Sequence, residues 1–338
     1  MRAVKFIIVG SGNMAKTYSD IISKNPIAKL LAIVGNKSGR ENELAKLYDA
    51  KPYSNCDLTQ AINDNPDVES IIVATSEWIR KDIINIALSA GKHILYEKPL
   101  AVSYEEANEI TKLFKLCKNH SIIMPVFNLR FNSQNDALKN YISQNKIGKI
   151  RLIHSRRNGN SIIHKRIINN MSPFFWLTPH EVDLIRWITN SEVKYVEANL
   201  IYFNKSLEGY LSSKISLSND IDAHHFVSWC TPPLSNLAPN TFFEVFGSEG
   251  IASSNEHSNF GLFFDSENKV HFPDTQYSPT VNNNKIGPFK LLFEHFLDCI
   301  LNNKKPIISN HDALEAVKIC SAMELSNKLN KRVYLKDL

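Results

Sequence analysis

The chain has 338 residues, 43% of them apolar and 22% charged, with a formal net charge of +5. That is enough apolar material for two compact domains with a substantial core, and a disordered chain is excluded. The cationic excess is small and spread along the sequence, so nucleic acid is not indicated as a partner, while an anionic small molecule would be accommodated.

In chain order, the opening "MRAVKFIIVG" places a charge before an apolar run, but Lys5 interrupts it and "FIIVG" is too short for a secretory leader. The runs "VKFIIVG", "LLAIVG", "SIIVAT", "HILYE" and "SIIMPVF" are continuously apolar, as strands buried on both faces are. Helical spacing falls between them at 13–24, 40–48, 57–64, 79–90 and 103–118, the last opened by a capping box from Ser103 to Glu106. Alternation of this kind predicts a doubly wound parallel α/β domain over residues 1–125.

After residue 130 the texture changes. Helices are expected at 132–144 and 178–189, and strands at 149–157, 193–203, 210–218, 223–230 and 241–247, the later ones with no helix between them. The second domain, 126–338, is therefore expected to be α+β with an open, largely antiparallel sheet. Two closing helices, 287–302 and 311–329, are able to pack back on the first domain. Polar or proline-bearing connectors fall at 218–225, 231–240 and 279–288. No stretch reaches the roughly 18 apolar residues of a membrane span. Cys56, Cys117, Cys230, Cys299 and Cys320 are odd in number and never form C-x-x-C, which supports neither a disulfide framework nor a cysteine zinc site and fits a cytosolic protein. His224 and His225 would point to opposite faces of a strand, so no metal site is expected.

Chemistry first enters at "GSGNMA", residues 10–15, directly after a strand and directly before a helix. Gly10 permits a tight turn, Gly12 lets backbone approach a pyrophosphate, and Ala15 lets the helix pack closely, with Ser11, Asn13 and Met14 completing the cradle. An NAD site usually carries an acid at the end of the second strand, yet no carboxylate lies between Asp20 and Glu41. Asn36, Lys37, Ser38 and Arg40 stand there instead and suit a 2'-phosphate, so NADP(H) is favoured over NAD(H). The plainer reading, solvated loop cations, stays open.

A second constellation is "LTPHEVDL", 177–184. Thr178, Pro179 and Glu181 read as N-cap, first helical residue and capping-box partner, which puts His180 and Asp183 on one helical face. His180 then lies in the first turn, where the helix dipole favours the neutral ring of a general base.

Taken with "GKHILYEKPLA", "IIVATS", "NLRFN", "NKIGKI" and "FEVFGSEGIA", these motifs resemble, in order and over most of the chain, the Gfo/Idh/MocA family of NAD(P)-dependent oxidoreductases. The resemblance implies a Rossmann domain, a C-terminal α/β domain whose open sheet often makes oligomer contacts, and hydride transfer at one carbon of a sugar, sugar nucleotide or cyclitol. It further implies Lys98 as the active-site lysine before a typically cis Pro99, and His180 as the residue exchanging the hydroxyl proton. Asp183 is then a substrate-binding acid, Thr75 and Glu97 touch the nicotinamide half, and Arg130 lies near cofactor and substrate. Each also has a structural reading, as surface lysine, ion-pair partner or strand-end cap. Hydride transfer at a carbinol needs a positioned acid or base, which suits these residue types.

The chain departs from the family pattern at Trp176, where relatives often carry an aspartate, at Thr178, at Ser76 and at Arg80, where a histidine is common. Trp176, in "SPFFWLTP", could stack on a sugar ring or pack the core. Arg156 and Arg157 could receive phosphates of a nucleotide sugar or keep a sheet soluble. A homodimer or homotetramer is implied. The alternatives are a non-catalytic dinucleotide sensor, or a reductase of a conjugated or imine substrate.

Overall fold

The computed structural model describes residues 2–116, 121–160, 171–203, 209–231, 240–255, 263–264, 270–271, 279–282 and 284–338. Cys117 and most of the connector expected over 231–240 lie outside them. The chain divides into two compact units, Met1–Val126 with Val281–Leu314, and Phe127–Thr280 with Glu315–Leu338.

The first unit is built on six parallel strands, β1 (Val4–Val9), β2 (Ala28–Val34), β3 (Lys51–Tyr53), β4 (Ser70–Val73), β5 (His93–Tyr96) and β6 (Ile123–Pro125), in the order β3-β2-β1-β4-β5-β6. This is a Rossmann sheet. Phe6, Ile7, Ile8 and Val9 of the central strand are all fully buried, as are Ile71, Ile72 and Val73 beside them. Such strands must be apolar at every position because helices cover both faces. Those crossovers are α1 (Asn13–Ser23), α2 (Arg40–Leu47), α3 (Leu58–Asp64), α4 (Arg80–Ser89) and α5 (Tyr104–Leu116). Ser103 caps the last of them, its Oγ accepting from the Glu106 amide at 3.2 Å. The strand Lys51–Tyr53 was not expected; three residues carry too little periodicity to be read.

In the second unit a 3-10 turn, Asn128–Phe131, leads into α6 (Ser133–Ser143), where the Asn132 side chain caps the amide of Gln134 at 2.9 Å. The sheet comprises β7 (Ile150–Asn160), β8 (Val193–Tyr202), β9 (Gly209–Leu217), β10 (Asp222–Thr231), β11 (Asn240–Gly247) and β12 (Ile251–Asn255), and ends in the short strand Val333–Tyr334. Its order is β12-β11-β7-β10-β9-β8 followed by that short strand. All pairs are antiparallel except β7 with β10, which run parallel, so the sheet is mixed. The helix α7 (Thr178–Thr189) packs on the inward face.

Of the two closing helices, α8 (Pro288–Asn302) belongs to the first unit. Its Phe293 is fully buried with its ring centroid 5.2 Å from that of Phe6, and Phe289 meets Tyr18 edge-on at 6.4 Å. The last turns of α9 (Asn310–Leu329) tie to β8, where Ser326 Oγ accepts from the Ala198 amide at 3.0 Å and Asn327 Oδ1 from that of Leu200 at 2.8 Å. No helix among the described residues is long and apolar enough to cross a membrane.

Candidate functional site

The glycine turn closes a cavity of about 290 Å³ at the carboxyl ends of β1, β2 and β4, where the strand order reverses. Its two glycines serve different ends. Gly10 has φ +122°, and a Cβ there would sit 2.3 Å from the Ala74 carbonyl oxygen. Gly12, the N-cap of α1, has an ordinary φ of −87°, and a Cβ there would meet nothing within 4 Å; it would project into open space at the helix mouth. No side chain caps α1 and no acid stands in its first turn, so its amides are presented outward to an anion. A pyrophosphate fits this mouth, and a nicotinamide dinucleotide fits the cradle.

Of the residues expected at the cofactor, Gly10, Ser11, Gly12, Asn36, Ser38, Arg40 and Thr75 all line this cavity. Asn13 and Met14 form the first turn of α1 behind it. Lys37 does not line it; this residue is exposed, in a left-handed turn at φ +68°. The missing acid at the end of β2 arrives from elsewhere. Glu41, in the first turn of α2, is fully buried and folds back over Gly35, where a Cβ would lie 2.6 Å from its Oε2.

At the ends of β4 and β5, Arg80 is 1% exposed and donates through Nη2 to the Thr75 carbonyl at 2.9 Å, while its Nε and Nη1, and Thr75 Oγ1, are buried with no partner among the described residues. Glu97 is buried and accepts from the Tyr18 hydroxyl at 2.9 Å. Burial pushes its carboxyl up, opposed by the Tyr18 hydrogen bond and by the Lys98 and Arg80 charges. Lys98 follows, half-buried, and its peptide to Pro99 is cis.

In the second unit the geometry gathers around α7. The helix starts at Thr178 with Leu177 as N-cap, and no side chain caps it. This corrects the capping-box reading: Thr178 Oγ1 is buried without a partner among the described residues, and Glu181 is held by Arg157 instead. His180, 6% exposed, sits in the first turn between two buried ion pairs. On one side Arg157 Nε donates to Glu181 Oε1, both side chains nearly inaccessible. On the other, Arg130 grips Asp183 with two bonds, Nε to Oδ2 at 2.9 Å and Nη2 to Oδ1 at 2.5 Å. Each pair fixes the helix start to a different element, the 3-10 turn in one case and β7 in the other.

The inward face of the sheet is polar beneath this helix. Ser155 Oγ lies 3.2 Å from His225 Nδ1, and His225 Nε2 has no partner among the described residues. Burial, reinforced by the Arg157 charge, drives the His225 imidazole down to about 3, so it stays neutral. Asn128, fully buried in the turn before Arg130, likewise has neither amide atom partnered among the described residues.

One expected site residue stands apart. Arg156 points to the exposed face, its Nη2 donating to Asn240 Oδ1 at 3.1 Å and its guanidinium 5.9 Å from the Phe242 ring centroid; strand alternation gives the buried face to Ile153, Ser155 and Arg157. Trp176 is half-buried against Gly159, while Phe174 and Phe175 before it are core residues. Sequence reasoning missed Glu41, Tyr18, Asn128 and His225. Only for Glu41 was there a signal, its place in the first turn of a helix leading away from the pocket. Among the described residues no group of three or more His, Cys, Asp or Glu is placed to hold a metal ion.

Comparison with known proteins covers both units. Residues 4–124 match the model described as "Oxidoreductase family, NAD-binding Rossmann fold", and residues 136–253 that of the "GFO/IDH/MocA C-terminal domain". The chain is similar to 2,7-anhydro-N-acetylneuraminate hydratase of Mediterraneibacter gnavus, 26% identical over 194 residues covering 56% of this chain and 50% of that protein. It is also similar to scyllo-inositol 2-dehydrogenase (NAD(+)) of Bacillus subtilis, 23% identical over 334 residues covering 92% and 90%. The chain spans about half the length of the first curated relatives it matches. Its fold is shared with scyllo-inositol dehydrogenase from Lactobacillus casei, a structure with bound NAD(H) and scyllo-inositol, at a TM-score of 0.82 and 21% identity, covering 99% of this chain and 100% of that one.

Proposed function

From its membership of the Gfo/Idh/MocA family, to which this chain belongs across both units, we propose that the protein is an NAD(P)-dependent oxidoreductase acting on a carbinol or carbonyl carbon of a cyclitol, sugar or sugar nucleotide. The observation that carries this reading is the uncapped mouth of α1 behind Gly12, at the reversal point of a parallel sheet. The named relatives include inositol dehydrogenases, which makes a cyclitol the first substrate class to test.

The bound nicotinamide supplies the hydride acceptor or donor. The chain's own residues handle the proton and the charge. His180, in the first turn of α7, takes the proton of the substrate hydroxyl and returns it in the reverse direction. Lys98 steadies negative charge that develops on the substrate as hydride moves. Asp183, held by Arg130, orients substrate and braces the helix start that carries His180. Thr75 and Glu97 serve the nicotinamide half, and Trp176 the sugar ring. Asn36 and Arg40, with Lys37 at longer range, supply the donors and charge that favour NADP(H) over NAD(H), and Ser38 lines the same pocket.

Two further readings belong here. The outward sheet face carries a stacked Tyr210–Phe226 pair at 5.3 Å, with Phe203 62% exposed beside Tyr210, which supports a homodimer or homotetramer formed through that face. A cytosolic location rests on the cysteine pattern of the sequence, five scattered residues with no C-x-x-C.

The test is turnover followed at the nicotinamide absorbance with a panel of cyclitols, sugars and nucleotide sugars. Lys98→Met and His180→Ala should each lower kcat at least about a hundredfold while dinucleotide binding survives. A substrate turned over at near-normal rate by either variant removes that residue from the mechanism.

A further inference from the structure

We propose that Glu41 restrains the preference of this pocket for NADP(H), acting as a positioning residue through the Ser38 hydroxyl. The inference rests on the cofactor reading above and concerns a residue outside the motifs that carry that reading.

β2 ends at Val34, and Gly35, Asn36 and Ser38 carry its direction into the cavity wall. No carboxylate lies between Asp20 and Glu41 in the sequence. Folding supplies one, because α2 begins at Arg40 and its second residue turns inward onto Gly35. Only a glycine admits it: a Cβ at position 35 would lie 2.6 Å from both Cβ and Oε2 of Glu41.

The carboxylate is fully buried yet well provided for. Ser54 Oγ donates to its Oε1 at 2.9 Å, and Ser38 Oγ to its Oε2 at 3.3 Å. Burial pushes the carboxyl up, but its own backbone amide, the two serines and the Gly39 amide more than offset this and hold it below the usual carboxylate range. A fixed negative charge therefore stands directly behind the segment that would face the ribose.

Its effect passes through Ser38. A serine hydroxyl has one proton, and here that proton is given to Glu41. Ser38 Oγ also takes the Arg40 amide at 3.4 Å and lies 3.5 Å from Ser11 Oγ. Toward the cavity it offers a lone pair. A ribose 2'-hydroxyl can donate to it; a 2'-phosphate, which only accepts, cannot use it. Arg40, lining the same cavity, pulls the other way by supplying positive charge for a phosphate. The pocket thus carries one device for each dinucleotide, and Glu41 keeps the unphosphorylated one in use.

The experiment measures Kd for NADPH and NADH by fluorescence titration on the full chain and on Glu41→Gln, Ser38→Ala and Arg40→Ala. Glu41→Gln should raise the NADPH-to-NADH affinity ratio about fivefold, the factor that about 1 kcal/mol of lost repulsion gives. Ser38→Ala, which keeps the buried carboxylate and so tests the idea even if Glu41→Gln folds poorly, should weaken NADH more than NADPH. A ratio unchanged in Glu41→Gln, with both dinucleotides weakened equally, reduces Glu41 to a structural brace and overturns the proposal. Ser38→Ala weakening NADPH more than NADH overturns it as well. Arg40→Ala reads the parent assignment alone: it should weaken NADPH and spare NADH. An unresponsive Arg40→Ala beside a shifted Glu41→Gln ratio overturns the NADP reading and upholds the role of Glu41.

Discussion

Replacing Arg157 by methionine is the sharpest test of what holds α7 in place. Arg157 is 2% exposed and Glu181 0%, and the two are joined by a hydrogen-bonded ion pair between β7 and the helix start. Methionine keeps most of the arginine's apolar length but removes the guanidinium paired with a fully buried carboxylate, and removing one partner of a buried ion pair costs about 3–5 kcal/mol. For a folding unit of this size each kcal/mol moves the midpoint by about 2–4 °C, so a fall of roughly 6–20 °C is expected. The double variant Arg157→Met/Glu181→Leu replaces the pair with apolar groups of similar volume, and such exchanges are neutral or stabilising by about 1–4 kcal/mol. It should therefore recover most or all of the midpoint. Intrinsic fluorescence during thermal or urea unfolding suits the measurement, because Trp176, Trp187 and Trp229 belong to the second unit and only Trp78 to the first. Equal losses in the single and double variants, or a single-variant loss below about 1 kcal/mol, would refute the claim that the Arg157–Glu181 pairing dominates.

The two glycines of the phosphate turn should fail differently. Gly12→Ala is expected to fold normally and to weaken dinucleotide binding at least about tenfold, since its methyl occupies only the space a pyrophosphate needs; Gly10→Ala should instead lower stability, because its methyl meets the Ala74 carbonyl at 2.3 Å and its φ is positive. Thermal midpoints and Kd measured together separate the two. His225 predicts an acid sensitivity. An unfolded histidine takes its proton near 6.5 whereas the folded ring refuses it until about 3, so the unfolded state binds more protons across that window. Stability is then fully present above about pH 6.5 and is lost as pH falls toward 3, by up to about 1.4 kcal/mol per pH unit. Urea unfolding at a series of pH values should show His225→Asn with a slope shallower by about one proton, and an unchanged slope would contradict a neutral buried ring.

The Rossmann strands were legible because burial on both faces leaves one solution for Ile7, Ile8, Ile72 and Val73, and that solution shows without knowledge of any neighbour. Pairing in the second sheet was not. The alternation along β7 and β10 tells which residues face inward, but nothing in either strand says that they run parallel. The same limit sent Arg156 toward the site when its neighbour Arg157 has the inward parity. At Thr178 a correct local rule lost to a distant partner: Thr-Pro followed by Glu fits a capping box, and the arginine that claims Glu181 lies 24 residues earlier in the chain. Glu41 escaped notice for a geometric reason, since the acid expected on a strand end is delivered by the first turn of the following helix. The motifs that carry Lys98, His180 and the glycine turn stand out in the sequence because they are short and contiguous. The residues that brace them are scattered.

Gly35 and Glu41 claim the same few cubic ångströms, and that ties their histories together. A lineage that acquires any side chain at position 35 must also shift the backbone at 41 or place glycine there, because the Cβ of residue 41 and not only its carboxylate stands 2.6 Å away. A change at 35 is not neutral while 41 keeps its side chain, so the two sites should drift as a couple. Grafting one of them alone into a cousin's β2–α2 turn will disappoint, whereas transplanting residues 35–41 as a block carries the whole arrangement across.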